Sequence, residues 1–166
     1  PLDRIYKVGS PLFEVFKDNE EKINKNEILK RLNLKNKDFI LLSLHREENV
    51  ENEKNLKKII DSINDLSKKT KKKIVFSVHP RTRLKIKKLN LNKSIKLFKP
   101  FDFFTYNKLQ TSSFIVLSDS GSISEESYML NFPALIIREA HERHEAMENG
   151  VINSNIFLMI VSETYF

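Results

Sequence analysis

The stretch V-L-S-D-S-G-S-I-S-E-E-S-Y-M-L, residues 116–130, holds the residues best placed to do chemistry. Its centre, Ser118-Asp119-Ser120-Gly121-Ser122, is a run of small polar residues that bends sharply and can expose backbone N–H groups. The apolar run at 114–117 reads as a buried strand, and a helical pattern begins at Ser122, with Ser122 and Glu125 spaced as a capping box. A strand, a small-residue turn and a helix N-terminus in that order bring unpaired N–H groups and the positive end of a helix dipole to one point. The ligand suited to that point is a phosphate or diphosphate. The same pattern also describes an ordinary capped helix in an α/β protein, so the loop alone does not decide.

The elements that must position this loop can be read from hydrophobic periodicity. Phe39-Ile40-Leu41-Leu42-Ser43-Leu44, Ile74-Val75-Phe76-Ser77-Val78, residues 95–98 and residues 134–137 are short apolar runs of the kind that form strands covered on both faces. Helical spacing lies between them, over 52–68, after Pro80, over 102–111, from Ser122 and near 141–149. Residues 11–34 read as one helical stretch and 35–38 as a polar turn. Ile5, Tyr6 and Val8 suggest a short first strand, and 156–161 is the last apolar run. Alternating strands and helices predict an α/β fold, a Rossmann-like doubly wound parallel sheet, with ligands beyond the carboxyl ends of the strands.

That rule sorts the remaining polar residues. His45-Arg46, His79-Pro80-Arg81, Lys99-Pro100-Phe101, the 118–122 loop and residues 138–143 each follow a strand, so all fall on one edge of the sheet. A basic edge around a helix N-terminus suits a diphosphate, with arginine supplying forked donors. The histidines lack the compact His/carboxylate spacing of a metal site, and His141 with Glu145 fits a chance helical pair equally well, so no metal is assigned.

With 166 residues the chain is large enough for one full core, and the absence of cysteine excludes disulfides and thiolate metal sites. No uncharged apolar run is long enough for a bilayer and Pro1-Leu2-Asp3-Arg4 has no signal-peptide layout, so a cytoplasmic protein without membrane association, or a piece of one, is expected. The net charge of +7 raises nucleic-acid binding, but the basic residues gather at 54–73 and 81–88. In the first stretch they alternate with Leu56, Ile59, Ile60, Ile63 and Leu66 at helical spacing, which makes a solvated helix face. Aromatic residues are not interleaved with them, and nucleic acid is not expected as a partner.

Four motifs taken together carry a resemblance. His45-Arg46-Glu47-Glu48-Asn49, His79-Pro80-Arg81, Asp119-Ser120-Gly121-Ser122-Ile123-Ser124-Glu125-Glu126 and Arg138-Glu139-Ala140-His141-Glu142-Arg143-His144-Glu145 resemble, in order, the motifs of the non-hydrolysing UDP-N-acetylglucosamine 2-epimerase family. The resemblance runs from about residue 5 to 150. The wording of residues 99–110 and of Leu130-Asn131-Phe132-Pro133-Ala134 is similar to the branch that makes UDP-N-acetyl-L-fucosamine from UDP-2-acetamido-2,6-dideoxy-L-talose for capsule or O-antigen polysaccharide.

The resemblance implies a GT-B-like two-domain enzyme, of which residues 1–166 match the C-terminal half as a single nucleotide-sugar-binding domain. The N-terminal half, with the carboxylates that move protons at C2, is then absent, and the C-terminal end is truncated. The implied substrate is a UDP-sugar, the implied assembly of the whole enzyme a homodimer, and no cofactor is called for. By motif matching, Ser120, Gly121 and Ser122 hold the diphosphate, Glu126 accepts from the ribose hydroxyls and Arg143 faces the phosphates. Tyr106 lies beside uracil, the backbone near Phe101 reads the base edge, His45 assists leaving-group chemistry and His79 lines the cleft.

Several of these residues have structural alternatives. Glu125 suits the capping box, Glu126 the first turn of a helix dipole, Tyr106 the core, and Arg143 a pair with Glu139 or Glu142. Two positions depart from the family pattern: Ser122 stands where a second glycine is usual, and His144 where proline usually follows Glu-Arg. The first narrows the approach to phosphate, and the second removes a rigid φ beside Arg143.

Overall fold

A computed structural model describes residues 10–138 and 157–160. The sheet is built around β1 (Phe39–Leu44), five of whose six side chains are buried. Such a strand is stable only with apolar cover on both faces and a parallel neighbour on each edge. Its neighbours are β2 (Lys73–Val78), paired Phe39 to Lys73 through Leu44 to Val78, and β4 (Ile115–Ser118), paired Ile40 to Ile115 through Ser43 to Ser118. Beyond them lie β3 (Ile95–Phe98) and β5 (Ala134–Arg138), and β6 (Phe157–Ile160) adds an antiparallel edge to β5. The order is β3-β2-β1-β4-β5-β6, with the first five parallel.

The period of two along each strand divides the core between the faces. Ile40, Leu42 and Leu44 join Ile74, Phe76 and Val78 under α4 (Glu53–Thr70) and α5 (Pro80–Ile86). Phe39 and Leu41 join Val75, Val116, Ala134 and Ile136 under α2 (Ile28–Arg31), α6 (Phe103–Ser112) and α7 (Ile123–Leu130). The helices change face between β1 and β4, which makes that gap the switch point of a doubly wound sheet. The short helix α3 (Glu47–Val50) turns the chain there before α4 begins.

Local sequence accounts for most boundaries. The side chain of Asn52 caps α4 by accepting from the N–H groups of Lys54 and Asn55. Leu56, Ile59, Ile60 and Ile63 form its buried stripe, while Lys54, Lys57, Lys58, Lys68 and Lys69 face solvent. Lys71 ends it in the left-handed region at φ 56°. The stretch read as one helix over 11–34 is instead two, α1 (Leu12–Asn24) and α2. Asn26 causes the break: its Oδ1 accepts from Ile28 N–H at 2.9 Å, and its amide donates to Thr105 Oγ1 at 3.1 Å. A side chain that replaces a helical hydrogen bond on one side and reaches another helix on the other ends the first helix.

The strand expected around Ile5, Tyr6 and Val8 and the helix expected near 141–149 lie outside the described residues. No helix among the described residues is long and apolar enough to cross a membrane. Two substitutions one turn apart test the packing of α4. Ile60→Ala should lower unfolding stability by about 2–5 kcal/mol, and Lys57→Ala should stay within about 0.5 kcal/mol, both read by urea unfolding.

Candidate functional site at the switch point

Because β1 to β5 run parallel, their carboxyl ends share one edge, and His45, His79, Phe101 and the 118–122 loop all emerge there. Beside the switch point, Asp119 sets the arrangement. It is fully buried, and its carboxylate accepts from the N–H of His45 at 3.1 Å, the N–H of Arg46 at 3.0 Å and the Asn49 amide at 3.0 Å. His45 Nδ1 lies 2.9 Å from the same carboxylate, with the imidazole 57% exposed. Nδ1 is thus assigned the proton, because a carboxylate only accepts, and Nε2 is the nitrogen left for a ligand. Asn49, itself buried, is the reason α3 sits where it does.

The loop beyond Asp119 is closed by hydroxyls. Ser118 Oγ accepts from Ser120 N–H at 3.1 Å, and Ser120 Oγ lies 3.0 Å from Ser122 Oγ. Ser122 has a helical backbone (φ −84°, ψ −9°), and its hydroxyl donates to Glu126 Oε1 at 2.6 Å without capping the first turn. The expected capping box between Ser122 and Glu125 is therefore not formed. A residue already inside the helical region shares a face with i+4, so its side chain meets Glu126 in place of the N–H groups behind it.

Glu126 Oε2 accepts from Gln110 Nε2 at 2.7 Å. Gln110 is fully buried on α6, and its own carbonyl oxygen has no partner among the described residues. An unpaired buried carbonyl costs about 1–3 kcal/mol, tolerated here while the amide nitrogen is committed to a carboxylate. Each oxygen of Glu126 therefore holds one donor from the protein and retains a lone pair for another.

Tyr106 lies on the same side, packed against the second core cluster with part of its surface exposed. Its phenol is pushed up to about 12, first by desolvation, with the carboxylates of Glu126 and Asp119 adding to the shift and the hydroxyls of Ser43 and Ser118 offsetting part of it. The ring is therefore a neutral, partly exposed aromatic at working pH. Asp102 starts α6 by accepting from Thr105 N–H at 3.0 Å and Thr105 Oγ1 at 2.7 Å, and these bonds hold its carboxyl below the usual range.

Of the residues singled out in the sequence, Ser120, Ser122 and Glu126 form one hydrogen-bonded chain, and Gly121 lies within it. Tyr106 stands close enough to feel Glu126, and His45 is joined to the loop through Asp119. Phe101 packs its ring on Phe98 at 5.5 Å. His79 stands two strands away from the loop and caps α5 through Nδ1, 3.4 Å from Arg81 N–H. Arg143 lies outside the described residues. Sequence reasoning missed Asn49 and Gln110 and gave no role to Asp119, because their partners come from distant segments. Among the described residues no group of three or more His, Asp or Glu could hold a metal.

A doubly wound α/β unit with N–H groups at a serine-glycine loop, a preset carboxylate one helical turn on and a partly exposed aromatic nearby has the parts of a nucleotide-binding unit. The sequence pattern described as UDP-N-acetylglucosamine 2-epimerase matches residues 1–155. The UDP-N-acetylglucosamine 2-epimerase of Methanococcus maripaludis is 36% identical over 163 residues, covering 93% of this chain and 44% of that protein. Among solved structures, the UDP-N-acetylglucosamine 2-epimerase of Rickettsia bellii superposes with a TM-score of 0.73 at 39% identity, covering 89% of this chain and 39% of that one. The Methanocaldococcus jannaschii enzyme, solved in complex with UDP-GlcNAc and UDP, gives 0.73 at 34% identity, covering 90% and 43%. The chain belongs to the UDP-N-acetylglucosamine 2-epimerase family, with the α/β architecture of its GT-B-like structures, and spans less than half the length of these relatives.

Two measurements test the geometry. Asp119→Ala removes several charge-assisted bonds worth about 1.5–3 kcal/mol each, so stability to urea should fall by about 3 kcal/mol or more. A phenol whose pKa rises from its ordinary 10.0 to about 12 favours the neutral form on folding. Its contribution is fully present below about pH 10 and is lost as pH rises through about 12. The difference in tyrosinate absorbance between the native protein and Tyr106→Phe should therefore develop near the upper value, and a difference near the lower one would mean a solvated ring.

Proposed function

We propose that residues 1–166 act as a single UDP-sugar-binding domain, the C-terminal half of a nucleotide-sugar 2-epimerase. The observation that carries this is the chain from Ser120 through Ser122 to Glu126, with Gln110 on the far oxygen of the carboxylate. The chain fixes the loop so that the backbone N–H groups of Gly121 and of the first turn of α7 are the donors for a diphosphate, with Glu126, one helical turn away, an acceptor-only group for a ribose diol. Ser120, Gly121 and Ser122 receive the diphosphate, Glu126 the ribose hydroxyls, Tyr106 the uracil face and the backbone near Phe101 its edge. Arg143 adds charge at the phosphates, and His79 lines the cleft. Support comes from the relative solved in complex with UDP-GlcNAc and UDP.

The reaction assigned to the whole enzyme is elimination and re-addition. A carboxylate supplied by the other half takes the C2 proton, the C1–O bond to UDP breaks, and a C1=C2 double bond forms. UDP then returns to C1 while a proton reaches the opposite face of C2. N–H donors at the 118–122 loop stabilise the departing diphosphate, and His45, whose Nδ1–H is held by Asp119, assists there as the imidazolium, with a second proton on Nε2. With that base assigned to the other half, residues 1–166 by themselves are assigned UDP binding without epimerase activity.

For the sugar, the wording of residues 99–110 and 130–134 favours UDP-2-acetamido-2,6-dideoxy-L-talose, giving UDP-N-acetyl-L-fucosamine for capsule or O-antigen polysaccharide in the cytoplasm. Gln110 and Asp102 belong to that wording, and both have defined work, on Glu126 and on α6. A second reading, interconversion of UDP-N-acetylglucosamine and UDP-N-acetylmannosamine, is favoured by the names of relatives at 36% and 33% identity. A third is a UDP-binding remnant without catalysis. The whole enzyme is assigned a homodimer.

Calorimetric titration with UDP tests the site. The chain should bind saturably, and Glu126→Ala and Ser120→Ala should each weaken binding, the first by about tenfold or more because a charge-assisted contact is lost. No binding by a folded chain would refute the nucleotide site. A panel of UDP-sugars on the whole enzyme separates the talose and glucosamine readings, and no turnover of any would leave the remnant.

A further inference from the structure

Arg46 has no place in the roles above, yet its side chain lies against the loop assigned to the diphosphate. A Cβ built on Gly121 would stand 3.9 Å from Arg46 Nη2, so the guanidinium faces the bare side of that glycine. The base of the residue is fixed. Its N–H donates to buried Asp119 at 3.0 Å, and its carbonyl accepts from Asn49 and Val50 N–H at 3.1 and 3.0 Å. What can move is the side chain, about one third exposed, whose Nη1 holds Glu48 Oε1 at 3.2 Å.

That ion pair is a weak restraint. Glu48 is 52% exposed, and surface pairs of this kind contribute about 0–1 kcal/mol. A diphosphate at the Ser120–Ser122 loop is a far better partner, because a guanidinium meets phosphate oxygens with two parallel N–H donors. The loop also needs a cation. Two carboxylates, Asp119 and Glu126, flank it, and an anion brought there meets their charge as well as the helix dipole.

We propose that Arg46 is a mobile phosphate clamp, held on Glu48 in the free protein and transferred to the diphosphate of the bound nucleotide. Asp119 is then a positioning residue twice over, since it fixes the backbone from which Arg46 reaches the loop and holds the His45 ring beside it. Glu48 acts as a counter-ion that competes with the ligand. The inference rests on the 118–122 loop being the diphosphate site and adds to that reading a cation and its competitor.

The test compares UDP with uridine, which lacks phosphate, on the 166-residue chain. Arg46→Ala should weaken UDP about tenfold or more and leave uridine unchanged, as expected for a charge-assisted contact to phosphate alone. Arg46→Lys should recover part of the loss. Glu48→Ala should tighten UDP, because the clamp no longer has to leave a partner, and Lys69→Ala, an exposed cation at the far end of α4, should do nothing. Circular dichroism and urea unfolding confirm that each variant is folded. Unchanged UDP affinity in Arg46→Ala, or equal losses for UDP and uridine, would overturn the clamp while Ser120→Ala still reports a diphosphate site. Failure of the folded native chain to bind UDP would overturn the site and the clamp together.

Discussion

A carboxylate with no exposed surface holds the two loops of the site together. Asp119 stands at the end of β4 and collects donors that all come from the other side of the switch point: two successive backbone N–H groups, a buried amide and an imidazole. Burying a carboxylate is unfavourable unless its lone pairs are filled, and here the filling groups are those that must be kept in place. Without it the loops after β1 and β4, though neighbours through strand pairing, would have no buried side chain joining them. The parallel sheet brings the two within reach, and Asp119 fixes their relative position.

Glu126 follows the same logic at the adjacent position. Ser122 approaches one oxygen and Gln110 the other, so the carboxylate has a single orientation before any ligand arrives. Gln110 gives up a partner for its own carbonyl to do this. A half-satisfied buried amide is tolerated where it fixes another group, and that marks α6 as part of the site as well as a wall of the core.

The strands and the doubly wound, mostly parallel class of the sheet were legible because apolar runs and polar ends recur along the chain; β3 (Ile95–Phe98) has the bounds its sequence suggests. The common edge of the polar clusters follows from the parallel pairing. Interactions that span the fold were not legible. Asn26 divides α1 from α2 through Thr105, seventy-nine positions away, and nothing in the spacing of residues 11–34 announces it. The four-residue helix α3 has too little periodicity to detect, yet it carries Asn49 to Asp119. Ser122 and Glu125 have the spacing of a capping box, but backbone angles decided the partner, and angles are not written in spacing. Histidines after strands were correctly placed at the edge, while the nitrogen that caps α5 shows that a position at the edge serves more than one purpose.

The contact between Asp119 and His45 closes a loop of seventy-four positions. Closing a loop of that length is entropically costly, and the contact forms only when β1 and β4 already lie side by side in register. The site therefore exists only where the two central strands have met. A chain with its helices formed but its sheet incomplete would contain every residue named here and still lack the arrangement proposed to receive a nucleotide, so binding there would report completion of the fold as well as the chemistry of the pocket.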